Sequence, residues 1–242
     1  MTKRLKKILK IILGVIVFFT LPSLLLFGFL YFKYNEDLPT GIQGKKADAL
    51  AKNMLQSLNY EAYKNTDYIE WTFKKRHHYN WNKKNNICEV FWKNNKVELN
   101  LNKPSLSIAF VNNEKVVDET TAKDLINKAT VYFNNDSFWL VAPYKVFDNG
   151  VERRLVKTEN NKETLLITYK SGGSTPGDSY LWLFNENGKP KSFKIWASIL
   201  PINGLEATWN DWTTTETGAQ LPTFHKLLVL GIEIEDIKTN KN

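Results

Sequence analysis

Residues 179–199 read SYLWLFNENGKPKSFKIWASI, and this stretch decides the fold. Tyr180, Trp182 and Phe184 recur at every second position, and Phe193, Ile195, Ala197 and Ile199 resume the same period. Between them Asn187-Gly188 supplies residues that tolerate left-handed backbone in a tight turn. The two-residue period returns along the chain. Ile69, Trp71 and Phe73 stand against Glu70 and Thr72; Val97, Leu99 and Leu101 stand against Glu98, Asn100 and Asn102. Leu165, Ile167 and Tyr169 follow it, as do Leu205, Ala207 and Trp209. Alternation of this kind marks antiparallel strands covered on one side. Asn94-Asn95, Asn112-Asn113, Asn149-Gly150 and Asn160-Asn161 provide further turns. The pattern predicts about eight to ten strands, too many to lie flat, in a mainly β (α+β) domain that curls into a barrel or open half-barrel. Two amphipathic helices would cover its hollow. One spans 45–58, through Ala47, Leu50, Ala51, Met54, Leu55 and Leu58; the other starts at Thr121, with Asp124 completing a capping-box-like beginning.

The N-terminus obeys another rule. Ile11 to Phe32 is a run of 22 residues without a charge, which as a helix would be roughly 33 Å long. That is enough to cross a hydrocarbon core of about 30 Å. Five bases precede it and Glu36 and Asp37 follow it, so the positive-inside bias leaves the N-terminus in the cytoplasm. The run is longer than a signal peptide's apolar stretch, and it ends in bulky Phe29-Leu30-Tyr31-Phe32, unlike an A-x-A cleavage site. The expectation is an uncleaved signal anchor. The chain then divides into a basic stub (1–10), a transmembrane anchor (11–32), a linker (33–44) and an outer domain (45–242).

The formal charge of +8 sits mostly at this end. Residues 1–33 carry six bases and no acid, whereas the remainder carries 27 bases and 25 acids. A nearly neutral body argues against nucleic acid as a partner, since that requires bases clustered on the folded domain. One cysteine, Cys88, excludes an intrachain disulfide and a Cys-based zinc site. It lies in a strand-like stretch, where it reads as a small apolar filler.

Candidate sites are few. Ser171-Gly172-Gly173-Ser174-Thr175-Pro176-Gly177-Asp178 is a loop leading into Tyr180-Leu181-Trp182. It lacks the Gly-Lys-Ser/Thr of a phosphate loop. Asp178 reads either as a rim residue at a cavity mouth or as a cap on backbone amides. His77 and His78 are neighbours on one strand and so point to opposite faces. One of them with His225 and Asp178 would make a polar or zinc site, although the spacing matches no metal motif. Trp182, Trp196, Trp209 and Trp212 fall close together in sequence, as either a heavy core or the wall of an apolar pocket. Trp209 and Trp212 differ by an odd number, which puts them on opposite sides unless the strand breaks between them.

Three stretches carry a resemblance. They are Arg76-His77-His78-Tyr79-Asn80-Trp81, Phe138-Trp139-Leu140-Val141-Ala142-Pro143-Tyr144-Lys145-Val146-Phe147-Asp148 and Gly172-Gly173-Ser174-Thr175-Pro176-Gly177-Asp178-Ser179-Tyr180-Leu181-Trp182. Over residues 45–238 the chain resembles an uncharacterised family of bacterial envelope proteins, often lipoproteins, that look like distant relatives of the lipoprotein-carrier (Lol) fold. The resemblance implies a curved antiparallel sheet whose apolar hollow is closed by helices and, in the carriers, receives acyl chains. It carries over no catalytic residue and no cofactor. With the anchor, it implies a single-pass protein of the bacterial inner membrane whose domain lies in the periplasm. The expected function is binding of a lipid or other hydrophobic ligand, with Trp182, Trp196 and Trp209 as wall and Tyr180 and Asp178 as rim. The alternatives are a hydrolase using Asp178 with His77, His78 or His225, and a scaffold for an envelope protein partner.

Overall fold

The computed structural model describes residues 2–158 and 160–241. Helix α1 (Lys3–Tyr34) runs unbroken through Pro22 with none of its residues buried. Among the described residues it is the one helix long and apolar enough to span a membrane. Helices α2 (Lys45–Ser57) and α3 (Tyr60–Lys64) follow, then strands β1 (Tyr68–Phe73), β2 (His77–Asn82), β3 (Ile87–Trp92), β4 (Asn95–Asn100), β5 (Ile108–Val111) and β6 (Glu114–Lys115). Helix α4 (Glu119–Val141) separates these from β7 (Val151–Lys157), β8 (Glu163–Tyr169), β9 (Ser179–Phe184), β10 (Pro190–Trp196), β11 (Leu205–Thr208), β12 (Asp211–Thr214), β13 (Gln220–Leu227) and β14 (Leu230–Asn240).

All fourteen strands join one antiparallel, open, curved sheet, in the order β6-β5-β4-β3-β2-β1-β14-β13-β11-β10-β9-β8-β7, with β12 on β13. The expected mainly β architecture is therefore present, with more strands than the sequence pattern predicted. Several of the extra ones are short: β5, β6 and β12 have four residues or fewer, too few to display a period.

Pairing places the apolar residues on one face. Trp71 lies opposite Tyr79, Tyr79 opposite Val90, and Val90 opposite Val97. In the other half Leu165 lies opposite Trp182, Trp182 opposite Phe193, and Phe193 opposite Ala207. These residues share one continuous core with Ala47, Ala51 and Met54 of α2 and Ala129, Phe133 and Leu140 of α4. Both helices thus cover the same face of the sheet. A small separate cluster of Val156, Leu166, Leu181 and Trp196 occupies the outer face.

Two expectations need correction. The second long helix starts at Glu119, not Thr121, because Asp118 caps it by accepting a hydrogen bond from the Thr121 amide at 2.8 Å. It also continues through Phe138 and Trp139. The linker, for its part, is fastened at both ends. Lys33 and Tyr34 still belong to α1, and Ile42 pairs with Leu155 on the edge strand β7 through two backbone hydrogen bonds of 2.9 and 2.8 Å. At the opposite edge β6 has only two residues, both exposed and charged. The β7 edge, seven residues long, is met by the linker at that one bridge.

Candidate functional site

The covered face of the sheet carries an aromatic layer that α4 bridges. In the half formed by β1 and β2, Trp71 stacks on Tyr79 at 4.4 Å between centroids, and Phe133 of α4 packs edge-on to Trp81 at 5.3 Å. In the half formed by β9 to β13, Trp182 makes edge contacts at 5.0 Å with both Phe193 and Trp209. Phe138 and Trp139 of α4 reach into this half, against Tyr180 at 4.6 Å and Phe193 at 5.6 Å. The layer is closely filled: Trp71, Trp182 and Trp209 are completely buried.

Four indole N–H groups in this layer, those of Trp71, Trp81, Trp182 and Trp209, are buried and meet no hydrogen-bond acceptor among the described residues. A buried donor without a partner forfeits about 1–3 kcal/mol of hydration, and edge-to-face ring contacts return only a fraction of that. Two of them lie in each half of the sheet.

Only part of the expected wall assembles here. Trp182 and Trp209 stand together, with Trp212 5.8 Å from Trp209. The chain breaks between β11 and β12, so the odd spacing does not separate that pair; the Trp212 indole donates to the Trp209 carbonyl at 2.6 Å. Trp196 does not belong to the wall. Phe193 and Ile195 face inward, so parity turns Trp196 to the outer face, where its indole donates to the Glu36 carbonyl at 2.8 Å. Tyr180 lies in the layer, and burial, with Asp178 beside it, raises its phenol above the ordinary range. Asp178 is itself buried and accepts a hydrogen bond from the Ser198 amide at 3.1 Å. It therefore caps a backbone amide of the next loop.

The histidines are dispersed. His78 faces outward, 3.0 Å from the Thr72 hydroxyl and 3.8 Å from Glu70. His225 is fully buried beside Trp209, its two nitrogens each 2.8 Å from a carbonyl, of Thr208 and of Trp139. Only an imidazolium can donate to both. Burial acts the other way and prevails, pushing the ring down to about 4. His77 faces inward and meets a carboxylate that sequence reading did not connect with it: its Nδ1 is 2.7 Å from Asp136 Oδ2 on α4. The Tyr79 hydroxyl donates to the same oxygen at 2.5 Å, and the Asn135 amide donates to Oδ1 at 2.8 Å. Tyr132 stacks on His77 at 3.9 Å. Burial and the Asp136 carboxylate raise the Tyr79 phenol well above its ordinary range, so it remains a donor. This buried polar knot ties α4 to β2.

No known protein family matches the chain. No curated protein matches it either.

Asp178 and the three histidines thus each have separate partners, and among the described residues no three His, Cys, Asp or Glu side chains gather as metal ligands. At the sheet end carrying the β7–β8 and β9–β10 turns, a cleft of about 700 Å³ opens between α2 and those turns, with Leu50, Leu183 and Phe184 in a lining that is otherwise mostly polar, including Asn53, Lys162 and Glu163. Its size falls within the range of small-molecule sites. The covered face thus carries buried aromatic rings, and a mostly polar cleft opens beside it at α2.

Proposed function

We propose that this chain is a membrane-anchored domain of the bacterial envelope that binds a lipid or another acyl-bearing amphiphile between α4 and the curved sheet. The observation that carries the reading is the set of four acceptor-less indoles, from Trp71, Trp81, Trp182 and Trp209, on the α4-covered face. An acyl chain replaces the ring contacts that α4 supplies, and ester or carboxyl oxygens accept from the indoles. The filled layer requires α4 to move aside, and its N-terminal part is the more loosely seated, with Ala122, Leu125 and Ile126 only partly buried. Its first ten residues include none that is buried, and its buried side chains begin at Ala129. The aromatic layer and the sequence resemblance to the lipoprotein-carrier fold support the same reading. In this account α1 is a single-pass anchor in the inner membrane, with its N-terminus in the cytoplasm and the domain in the periplasm.

Native mass spectrometry of the full chain released from detergent micelles tests it. The expected spectrum holds a population heavier by one lipid mass that survives collisional stripping of detergent and yields a lipid on extraction. A spectrum of bare protein only, before and after incubation with fatty acid, would remove the proposal.

A further inference from the structure

The junction between α1 and the sheet is built rather than loose. Asn35 caps α1, its amide bonded to the Tyr31 carbonyl at 2.9 Å. Its side-chain oxygen accepts from the Asn203 amide at 3.0 Å, and the next amide, of Glu36, donates to the Asn203 carbonyl at 3.1 Å. The Glu36 carboxylate takes two contacts from Lys194 Nζ, at 2.6 and 2.7 Å, and its carbonyl takes the Trp196 indole. Gly204 has a φ of +79°, and a Cβ there would lie 2.8 Å from Glu36 Cβ, so the loop between β10 and β11 touches the helix end directly.

That loop, Ala197 to Gly204, reads ASILPING and has no charge. Asn35 is three residues past Phe32, the last of the uncharged run, or about 4.5 Å along the axis. The polar layer of a bilayer is about 5–7 Å thick on each side. A loop hydrogen-bonded to Asn35 therefore lies at the depth of the head groups.

Topology sets more residues at the same level. In an antiparallel sheet the turns alternate between two rims. The pairing of Ala207 with Leu227 puts Val229 level with Leu205, so the β13–β14 turn sits on the rim of the ASILPING loop. Phe73 pairs with Ile234, four residues into β14, so the β1–β2 turn of Lys74, Lys75 and Arg76 lies on the same side of the sheet, set back from Leu230, with Lys75 ion-paired to Glu233 and Glu235. Ala197 and Ile202 of the loop turn into the fold, and three other apolar residues of this rim are bare. Ile199 is 72% exposed, Val229 90% and Leu230 58%. Leu228 and Lys74 hold positive φ of 54° and 50°, a conformation that favours glycine or asparagine. Apolar and basic side chains occupy these turns in place of the residues that turn geometry prefers.

We infer that this rim is a second membrane contact: the domain sits rim-down on the leaflet from which α1 emerges. Ile199, Val229 and Leu230 enter the head-group boundary, while Lys74 and Arg76 face lipid phosphates. The occupant is the bilayer that holds α1, because the loop is bonded to the end of that helix. The inference needs only the membrane span and stands whether or not the hollow takes a ligand.

Nitroxide labels on the full chain in phosphatidylcholine/phosphatidylglycerol proteoliposomes test it, through Ile199→Cys, Val229→Cys and, on the far rim, Asn187→Cys. Cys88 is buried and does not compete for label. The expected result is that labels at 199 and 229 collide several-fold more with oxygen, relative to a water-soluble nickel chelate, than the label at 187. A label at 199 or at 229 as accessible to nickel as that at 187 overturns the seating. Wild-type-like circular dichroism of each labelled chain shows that the fold is intact.

Discussion

His225 illustrates how burial settles a contest at a single residue. Its ring is wedged against Trp209 at 4.3 Å, and a folded-state value of about 4 against an ordinary 6.5 makes stability depend on pH. The unfolded chain binds the proton first, so the contribution is complete above pH 6.5 and is lost as pH falls toward 4. That shift corresponds to about 3 kcal/mol. Urea titrations between pH 7 and 4 should show this decline, and His225→Gln should flatten it; an equally steep decline in the variant would assign it to other groups. Asp136 is held from three sides, by His77, Tyr79 and Asn135. Asp136→Asn weakens charge-assisted bonds and should cost about 1.5–3 kcal/mol in urea with an unchanged m-value. The alternating pattern made the inward faces of β1 and β2 legible in the sequence. It could not reveal the partner of His77, because Asp136 approaches on a helix 59 residues away. Trp196 is the converse case: proximity in sequence grouped it with Trp182, although two-residue parity already assigned it to the other face.

At the scale of elements, α4 is divided. Glu119 to Lys128 includes no buried residue, while Ala129 to Val141 carries Phe133, Asp136, Leu140 and Val141 into the core. Local opening follows burial, so hydrogen exchange should be fast in the first segment and slow in the second, and an added fatty acid should change the second. The linker makes a sharper demand. A Cβ on Gly41 would come within 2.9 Å of the Leu155 carbonyl and of the Arg154 and Val156 side chains. Gly41→Ala should therefore break the pairing of Ile42 with Leu155, at about 1–3 kcal/mol for forced overpacking, with faster exchange of the Leu155 amide as the readout. The helix at 45–58 was legible because its small apolar residues recur at helical spacing. The linker's docking was not, since its partners, Leu155, Lys194, Trp196 and Asn203, lie more than a hundred residues downstream.

For the whole molecule, the curved sheet, the covering helices and the apolar span were readable from periodicity and charge, because each follows from a local rule. Strand order, the junction at Asn35 and the meeting of α4 with both halves of the sheet depend on long-range pairing, which no local pattern encodes. The assembled picture is a half-barrel mounted at one rim on a long apolar helix, with a filled aromatic layer under a partly seated helix. Its central claim is that this layer exchanges α4 contacts for an acyl chain. All eight tryptophans lie between Trp71 and Trp212, and none is in α1, so intrinsic fluorescence reports on the outer domain alone. The most direct measurement is quenching of that fluorescence by dibromostearate, added to the full chain in detergent. The account predicts saturable quenching near one equivalent, reversed by unbrominated stearate and weakened in Trp182→Phe. Quenching that rises linearly without saturation, or that stearate fails to reverse, would contradict it.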